Sequence, residues 1–281
     1  MLRNALIGDS GGSGTTWCHV DREGRRRQFQ GPSYHPAYWS DDFWGQSSEY
    51  WKQSGIEGGP EVYLYGAGLG NENHCASLKH HLEGIGFRVK EMSSDVQGIA
   101  QAALGKKRGY LAILGTGSVY QEYDQGKMLR QLGGYGHLFG DEGSAYGFGR
   151  ILVRKYLDGL LPGSLYKWME EKYPSRESLL AALSHSSMKY ELGQLAVQSQ
   201  NCQEKEFIEE IHLENLKAFQ ESCLKHHSED LKTGYFVGSY AVAQSGKIKQ
   251  LLEEVNLEVE EFVAEPIELI VDFLDWKSLN L

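Results

Sequence analysis

The chain is poor in cysteine, has no long apolar run and carries no excess of positive charge. Its four cysteines, Cys18, Cys75, Cys202 and Cys223, are scattered and form no Cys-x-x-Cys pair. Free thiols in a reducing cytoplasm are the expectation. Cys223 with His226 and His227 lacks the further ligands at short spacing that a zinc site requires. No apolar run reaches the length that spans a bilayer. The opening run, Met1 to Asp9, is too short in apolar residues for a secretion signal and reads as a strand. Lys and Arg number 28 against 38 Asp and Glu, a formal net charge of -10. An acidic balance argues against a nucleic-acid partner, because phosphate backbones select basic faces. What remains is a globular composition, 41% hydrophobic and 23% charged, over 281 residues. That length suits two domains, each able to bury its own core.

Apolar patterning predicts strands over residues 4–8 and 15–20, joined by a turn containing Gly11, Gly12 and Gly14, and a third strand over 25–30. An aromatic loop from Gly31 leads into a helix. A strand over 61–65 ends in Gly66-Ala67-Gly68-Leu69-Gly70. A helix over 71–84, a strand over 87–91 and a helix over 95–104, capped by Ser93 or Ser94, follow. The pattern then restarts: a strand over 110–114, the turn Gly115-Thr116-Gly117-Ser118, strands over 119–123 and 127–132, and a long helix over 144–157. Residues 162–231 are mostly helical in period. A short strand over 235–237, a turn at Gly238-Ser239, a strand near 257–263 and a helix opened by Pro266 complete the chain. Two halves thus begin alike, which predicts an α/β protein of two lobes with a cleft between them. The expected domains are residues 1–105, residues 106–265 with a helical insertion, and a C-terminal helix over 266–281 that packs back on the first lobe.

Each chemical motif has two readings. Asp9-Ser10-Gly11-Gly12-Ser13-Gly14-Thr15-Thr16 is either a flexible hairpin or an anion-binding nest with hydroxyl donors, in which Asp9 can hold Mg²⁺ through water. No Gly-Lys-Ser/Thr follows it, so it is no Walker A loop. Gly115 to Ser118 is the same device in the second half. Gly238-Ser239-Tyr240-Ala241 is an ordinary strand-to-helix turn or a place where adenine or ribose lies against the backbone. Gly66 to Gly70 imitates a dinucleotide fingerprint but lacks its third glycine, since Asn71 stands there. Asp95 serves the dipole of a helix start or acts as a base toward a sugar hydroxyl. Asp141, in Gly140-Asp141-Glu142-Gly143, caps a helix or binds sugar hydroxyls. His137 is a ligand contact or a buried structural histidine. Trp39, Trp44 and Trp51 fit a core better than a sugar platform.

Taken together, the chain resembles the N-acetylglucosamine kinase and BadF/BadG ATPase group of the sugar kinase, Hsp70 and actin superfamily over nearly its whole length. Gly134-Tyr135-Gly136-His137 followed by Gly140-Asp141-Glu142-Gly143-Ser144-Ala145-Tyr146 is the most specific match, with Tyr135 where the family has tryptophan. The resemblance implies two ribonuclease H-like lobes and ATP-dependent phosphorylation of an amino sugar, N-acetylglucosamine first, with ATP and Mg²⁺ as cofactors. It implies Asp95 as the catalytic base. Asp9, Gly11, Gly12, Ser13, Thr15, Thr16, Gly115, Thr116, Gly117, Ser118, Gly238 and Ser239 would bind the nucleotide, with Asp9 also at the metal. Gly134, Tyr135, Gly136 and Asp141 would bind the sugar. His35, in His35-Pro36, stands where the family carries an Asn-Pro sugar contact. The paired cysteines of the related iron-sulfur activator ATPases are missing. A homodimer is expected by resemblance alone. Ser10, Ser13 and Gly14 depart from the first phosphate motif, which keeps alternatives open: a sensor that binds sugar or nucleotide without turnover, or a kinase for another hexose or cell-wall sugar.

Overall fold

The computed structural model describes residues 2–12, 14–184 and 188–280. The chain divides into two compact units, Met1–Gly105 with Pro266–Leu281, and Lys106–Glu265.

In the first unit, β1 (Ala5–Ser10), β2 (Thr15–Val20) and β3 (Arg26–Gly31) form an antiparallel meander. After α1 (Asp41–Gln53), β4 (Glu61–Gly66) joins β1 in parallel. Then α2 (Glu72–Gly84), β5 (Arg88–Ser93), parallel to β4, and α3 (Asp95–Leu104) follow. The strand order is β3-β2-β1-β4-β5. Alternation along β1 sends Leu6 into a core with Trp17, Tyr34, Trp51, Leu64, Leu78 and Leu82, while Ile7 and Asp9 point to the opposite face. Each fully buried aliphatic side chain in such a core contributes roughly 1.5–3 kcal/mol. Trp51 is core, as its place on an amphipathic stretch predicted; its ring meets Trp17 edge-on at 5.1 Å and its Nε1 donates to Tyr34 Oη at 2.6 Å.

The second unit repeats the plan. β6 (Gly109–Leu114), β7 (Ser118–Asp124) and β8 (Lys127–Gly133) form a meander. A short α4 (Gly136–Phe139) and α5 (Ala145–Leu157) precede the helices α6 (Gly163–Lys172), α7 (Arg176–Ala182), α8 (Met188–Gln198) and α9 (Lys205–Ser222). The parallel strand β9 (Thr233–Val237), α10 (Ser239–Ala243), α11 (Ser245–Glu253) and β10 (Glu258–Val263) complete the unit. Its order, β10-β9-β6-β7-β8, is that of the first sheet read from the other edge.

The last helix, α12 (Pro266–Asn280), belongs to the first unit and packs on α3, β1 and β2. Arg26 on β3 holds it through Asp272 at 2.7 Å and Asp275 at 2.6 Å, and the Leu2 amide donates to Asp275 at 2.7 Å.

Candidate active site

Asp9 lies near the end of β1, opposite Thr16 on β2 and Tyr65 on β4. Directly opposed residues share a sheet face, so Asp9 and Thr16 project together. Asp95 is the first residue of α3, and Ser94 is the cap, its hydroxyl accepting from Gln97 N at 3.2 Å. Burial, then the charge of Asp95, pushes the Asp9 carboxyl up to about 7. Burial also raises Asp95, although the amides of Val96 and Asp95 and the nearby His35 favour its charged form. Two carboxyls that resist ionisation and repel each other therefore face one place on this unit.

The turn after β4 brings His35 to the same place. A Cβ on Gly68 would sit 2.7 Å from Pro36 and 3.8 Å from His35 Nε2, and one on Gly70 would sit 3.8 Å from Ser94. The Gly66–Gly70 segment thus joins β4 to α2 and spaces the His35-Pro36 loop from the start of α3. His35 Nδ1 accepts from Ala37 N at 3.2 Å.

The first glycine turn is braced from the same loop. Gly11 N donates to Gly14 O at 2.9 Å, Ser33 Oγ to Gly11 O at 2.7 Å and Tyr38 Oη to Gly12 O at 2.9 Å. Thr15 turns inward. Its hydroxyl is fully buried and donates to Pro32 O at 2.7 Å, with Ser10 Oγ at 2.9 Å. It ties the hairpin to the loop that follows β3. Thr16 pairs with Gln30 at 3.1 Å and remains part-exposed. Ser13, also expected here, lies outside the described residues.

In the second unit the other turns converge. Gly115 N donates to Gly117 O at 2.9 Å. The parallel pairing of Ile113 with Val237 puts Gly115 and Gly238 at neighbouring strand ends; a Cβ on Gly238 would meet Leu114 O at 2.5 Å. Ser239 opens α10 beside them. Val119 pairs with Gly133, so the Gly134-Tyr135-Gly136 loop abuts the start of β7. Gly133, Gly134 and Gly136 all hold positive φ, at 68°, 70° and 73°. Tyr135 is 61% exposed.

Asp141 sits below the second turn. It holds φ 66° and is buried. Its Oδ1 accepts from Ser118 N at 2.9 Å and its Oδ2 faces Lys189 Nζ at 2.8 Å. Its Oδ1 thus ties Asp141 to the Gly115–Ser118 turn, while its buried Oδ2 lies against the Lys189 ammonium without accepting a hydrogen bond.

No protein-family model matches the sequence, and no curated protein does. Solved structures do. A proposed N-acetylglucosamine kinase from Porphyromonas gingivalis superposes with a TM-score of 0.78 at 22% identity, covering 96% of this chain and 98% of its own. Another, from Chromobacterium violaceum, gives 0.70 at 18% identity over 96% and 99%. A ROK family glucokinase from Streptomyces griseus, in complex with glucose and AMPPNP, gives 0.51 at 16% identity over 95% and 98%. The chain has the actin-like ATPase fold of sugar kinases. Within that fold, two side chains that the sequence did not single out hold the second unit's site together. Lys189 is one. Asn215, on α9, is the other: its Oδ1 accepts from Gly143 N at 2.9 Å, and its Nδ2 donates to Ser144 O at 2.8 Å and Tyr240 Oη at 3.0 Å. Tyr240 Oη also meets His212 Nδ1 at 2.8 Å. A helical stretch read only as periodic thus reaches the glycine-rich loop and α10. Among the described residues no helix is long and apolar enough to cross a membrane.

Proposed function

We propose that the chain is an ATP-dependent kinase that phosphorylates a hydroxyl of an amino sugar, N-acetylglucosamine first among candidates. The observation that carries this reading is the Asp9–Asp95 pair, two desolvated carboxyls beside a braced glycine turn, on a fold shared with sugar kinases. Phosphoryl transfer asks a protein for positioning and charge neutralisation more than for covalent chemistry.

Asp95 accepts the proton of the attacking hydroxyl. A base works best with its pKa near the working pH, and burial moves Asp95 in that direction. The amides of Gly11, Gly12, Thr116 and Gly117 hold phosphate oxygens, helped by Thr16 and Ser118. Gly238 and Ser239 lie against the nucleoside. The Gly134, Tyr135 and Gly136 segment and His35 contact the sugar, His35 by a single imidazole nitrogen at a time where an amide would offer both donor and acceptor.

The donor set suits a hydrated magnesium ion better than a caged one. Asp9 would hold the ion through water, with phosphates supplying the rest. Bound there, magnesium neutralises phosphate charge.

A coupled assay of ADP release over a panel of hexoses and amino sugars tests the reading. Sugar-dependent turnover is expected, highest with N-acetylglucosamine. Asp95→Asn is expected to lower kcat by about 10²–10⁴-fold while ADP still binds. Full turnover in Asp95→Asn would remove the assigned base. Nucleotide binding with no turnover on any sugar would favour a sensor.

A further inference from the structure

We propose that Lys189 contacts the polyphosphate of a nucleotide bound at the Gly115–Ser118 turn, with Asp141 holding its ammonium in position; the proposal rests on the kinase reading above. Neither glycine turn contains a cation: residues 9–16 and 115–118 include no Lys or Arg, and neither does the Gly238–Ala241 turn. A triphosphate tail held by amides and hydroxyls alone keeps most of its charge. Lys189 is the ammonium that α8 lays on the second turn.

The placement is built into the packing. A Cβ on Gly117 would sit 2.5 Å from Lys189 Nζ and 2.7 Å from Asp141 Oδ1, so the ammonium and the carboxylate both lie directly against the bare face of Gly117. One helical turn later, Gly193 lies under the same loop, where its Cβ would sit 3.4 Å from Thr116 Cγ2. Residues four apart share a helix face, so Lys189 and Gly193 together seat α8 on residues 116 and 117. The depth of α8 is set by Gly149 on α5, whose absent Cβ would lie 2.1 Å from Leu192 O. The Lys189 side chain is 38% exposed whereas that of Asp141 is 3% exposed. The carboxylate is sealed below and the ammonium still reaches solvent, where an anion arriving at the turn meets it. An ammonium has three donors, so it can keep Asp141 and take phosphate oxygens together.

The test is equilibrium binding of ADP and of AMP, by calorimetry, to the wild-type chain and to Lys189→Met, Lys189→Arg and the double variant Asp141→Asn/Lys189→Met. AMP carries only the phosphate nearest the nucleoside. The ratio of the two affinities therefore isolates the polyphosphate contact, because general loosening of the fold weakens both ligands. Lys189→Met is expected to lose about tenfold or more in ADP affinity, the worth of a charged hydrogen bond, with AMP little changed. Lys189→Arg should retain most ADP affinity. The double variant guards against misfolding from an unpaired buried carboxylate, since the amide oxygen introduced by Asp141→Asn can still accept from Ser118 N. It should stay as weak toward ADP as the single variant. An unchanged ADP/AMP ratio in Lys189→Met, or wild-type ADP affinity in the double variant, overturns the proposal and leaves Lys189 as the counter-ion of Asp141 alone. A wild-type chain that binds ADP with this Lys189 dependence but phosphorylates no sugar supports the proposal and sinks the kinase reading. One that binds no ADP sinks both.

Discussion

Replacing Asp9 by asparagine should make the protein more stable and less active. The Asp9 carboxyl titrates at about 7 in the folded chain against 3.8 for an unperturbed aspartate. The folded state therefore binds more protons than the unfolded one between those values. Stability falls as pH rises through that window, and the loss is nearly complete at pH 7. A shift of about three units is worth roughly 4 kcal/mol. The Asp9→Asn protein escapes that cost but must satisfy an amide in a part-buried site, which returns about 1–2 kcal/mol. The expected net gain at pH 7 is about 2–3 kcal/mol, or roughly 4–12 °C in Tm for a chain of this size. Thermal melts of both proteins at pH 4.5, 5.5 and 7, without nucleotide or magnesium, measure it. The Tm difference should grow with pH, and sugar-dependent ADP release should fall together with the magnesium requirement. An Asp9→Asn protein no more stable than wild type at pH 7, or a difference that does not change with pH, would refute the reasoning that this carboxyl is held at an energetic cost.

Two further outcomes follow from packing in the second unit. Gly149→Ala drives a methyl into the Leu192 carbonyl, so α5 and α8 must separate; a loss of about 1–3 kcal/mol is expected in chemical denaturation, with weakened ADP binding as α8 lifts off the second turn. His212 is buried among Phe148 and Tyr240, and burial lowers its pKa to about 4 from 6.5. It stays neutral in the fold while the unfolded chain takes up a proton, so stability is intact above pH 6.5 and falls by about 3 kcal/mol as pH drops to 4. His212→Gln should flatten that acid limb relative to wild type in pH-dependent melts.

Strands and turns were legible because they are local. The apolar runs at 4–8 and 110–114, each closed by glycines, announce β1 and β6, and their recurrence announces the repeated sheet. Strand ends moved by a residue or two, as with β9, which begins at Thr233 because its first residues pair with Tyr110 and Glu258. Partners across the sequence were not legible. Thr15 looks like a ligand hydroxyl in the motif, yet the hydroxyl of Ser10 and the carbonyl of Pro32 claim it once the hairpin closes. Asp141 looks open in a glycine-rich segment, yet its left-handed backbone turns the carboxylate under Ser118. Lys189 and Asn215 carry no local signal. They are a lysine and an asparagine in a region of helical period, and only the docking of α8 and α9 gives them a place.

The Asn215 bond set has a practical corollary for anyone trimming the protein. The α6–α9 stretch looks like a removable decoration on a minimal scaffold of sheet and flanking helices. Its polar pegs fit recesses in the loop before α5 and against Tyr240, and Gly147 leaves a notch for the Asn215 amide, where a Cβ would come within 2.3 Å of Oδ1. Excising the stretch would strip the loop at 141–144 of its scaffold and leave Tyr240 with a bare hydroxyl. A shortened chain would have to supply both supports anew.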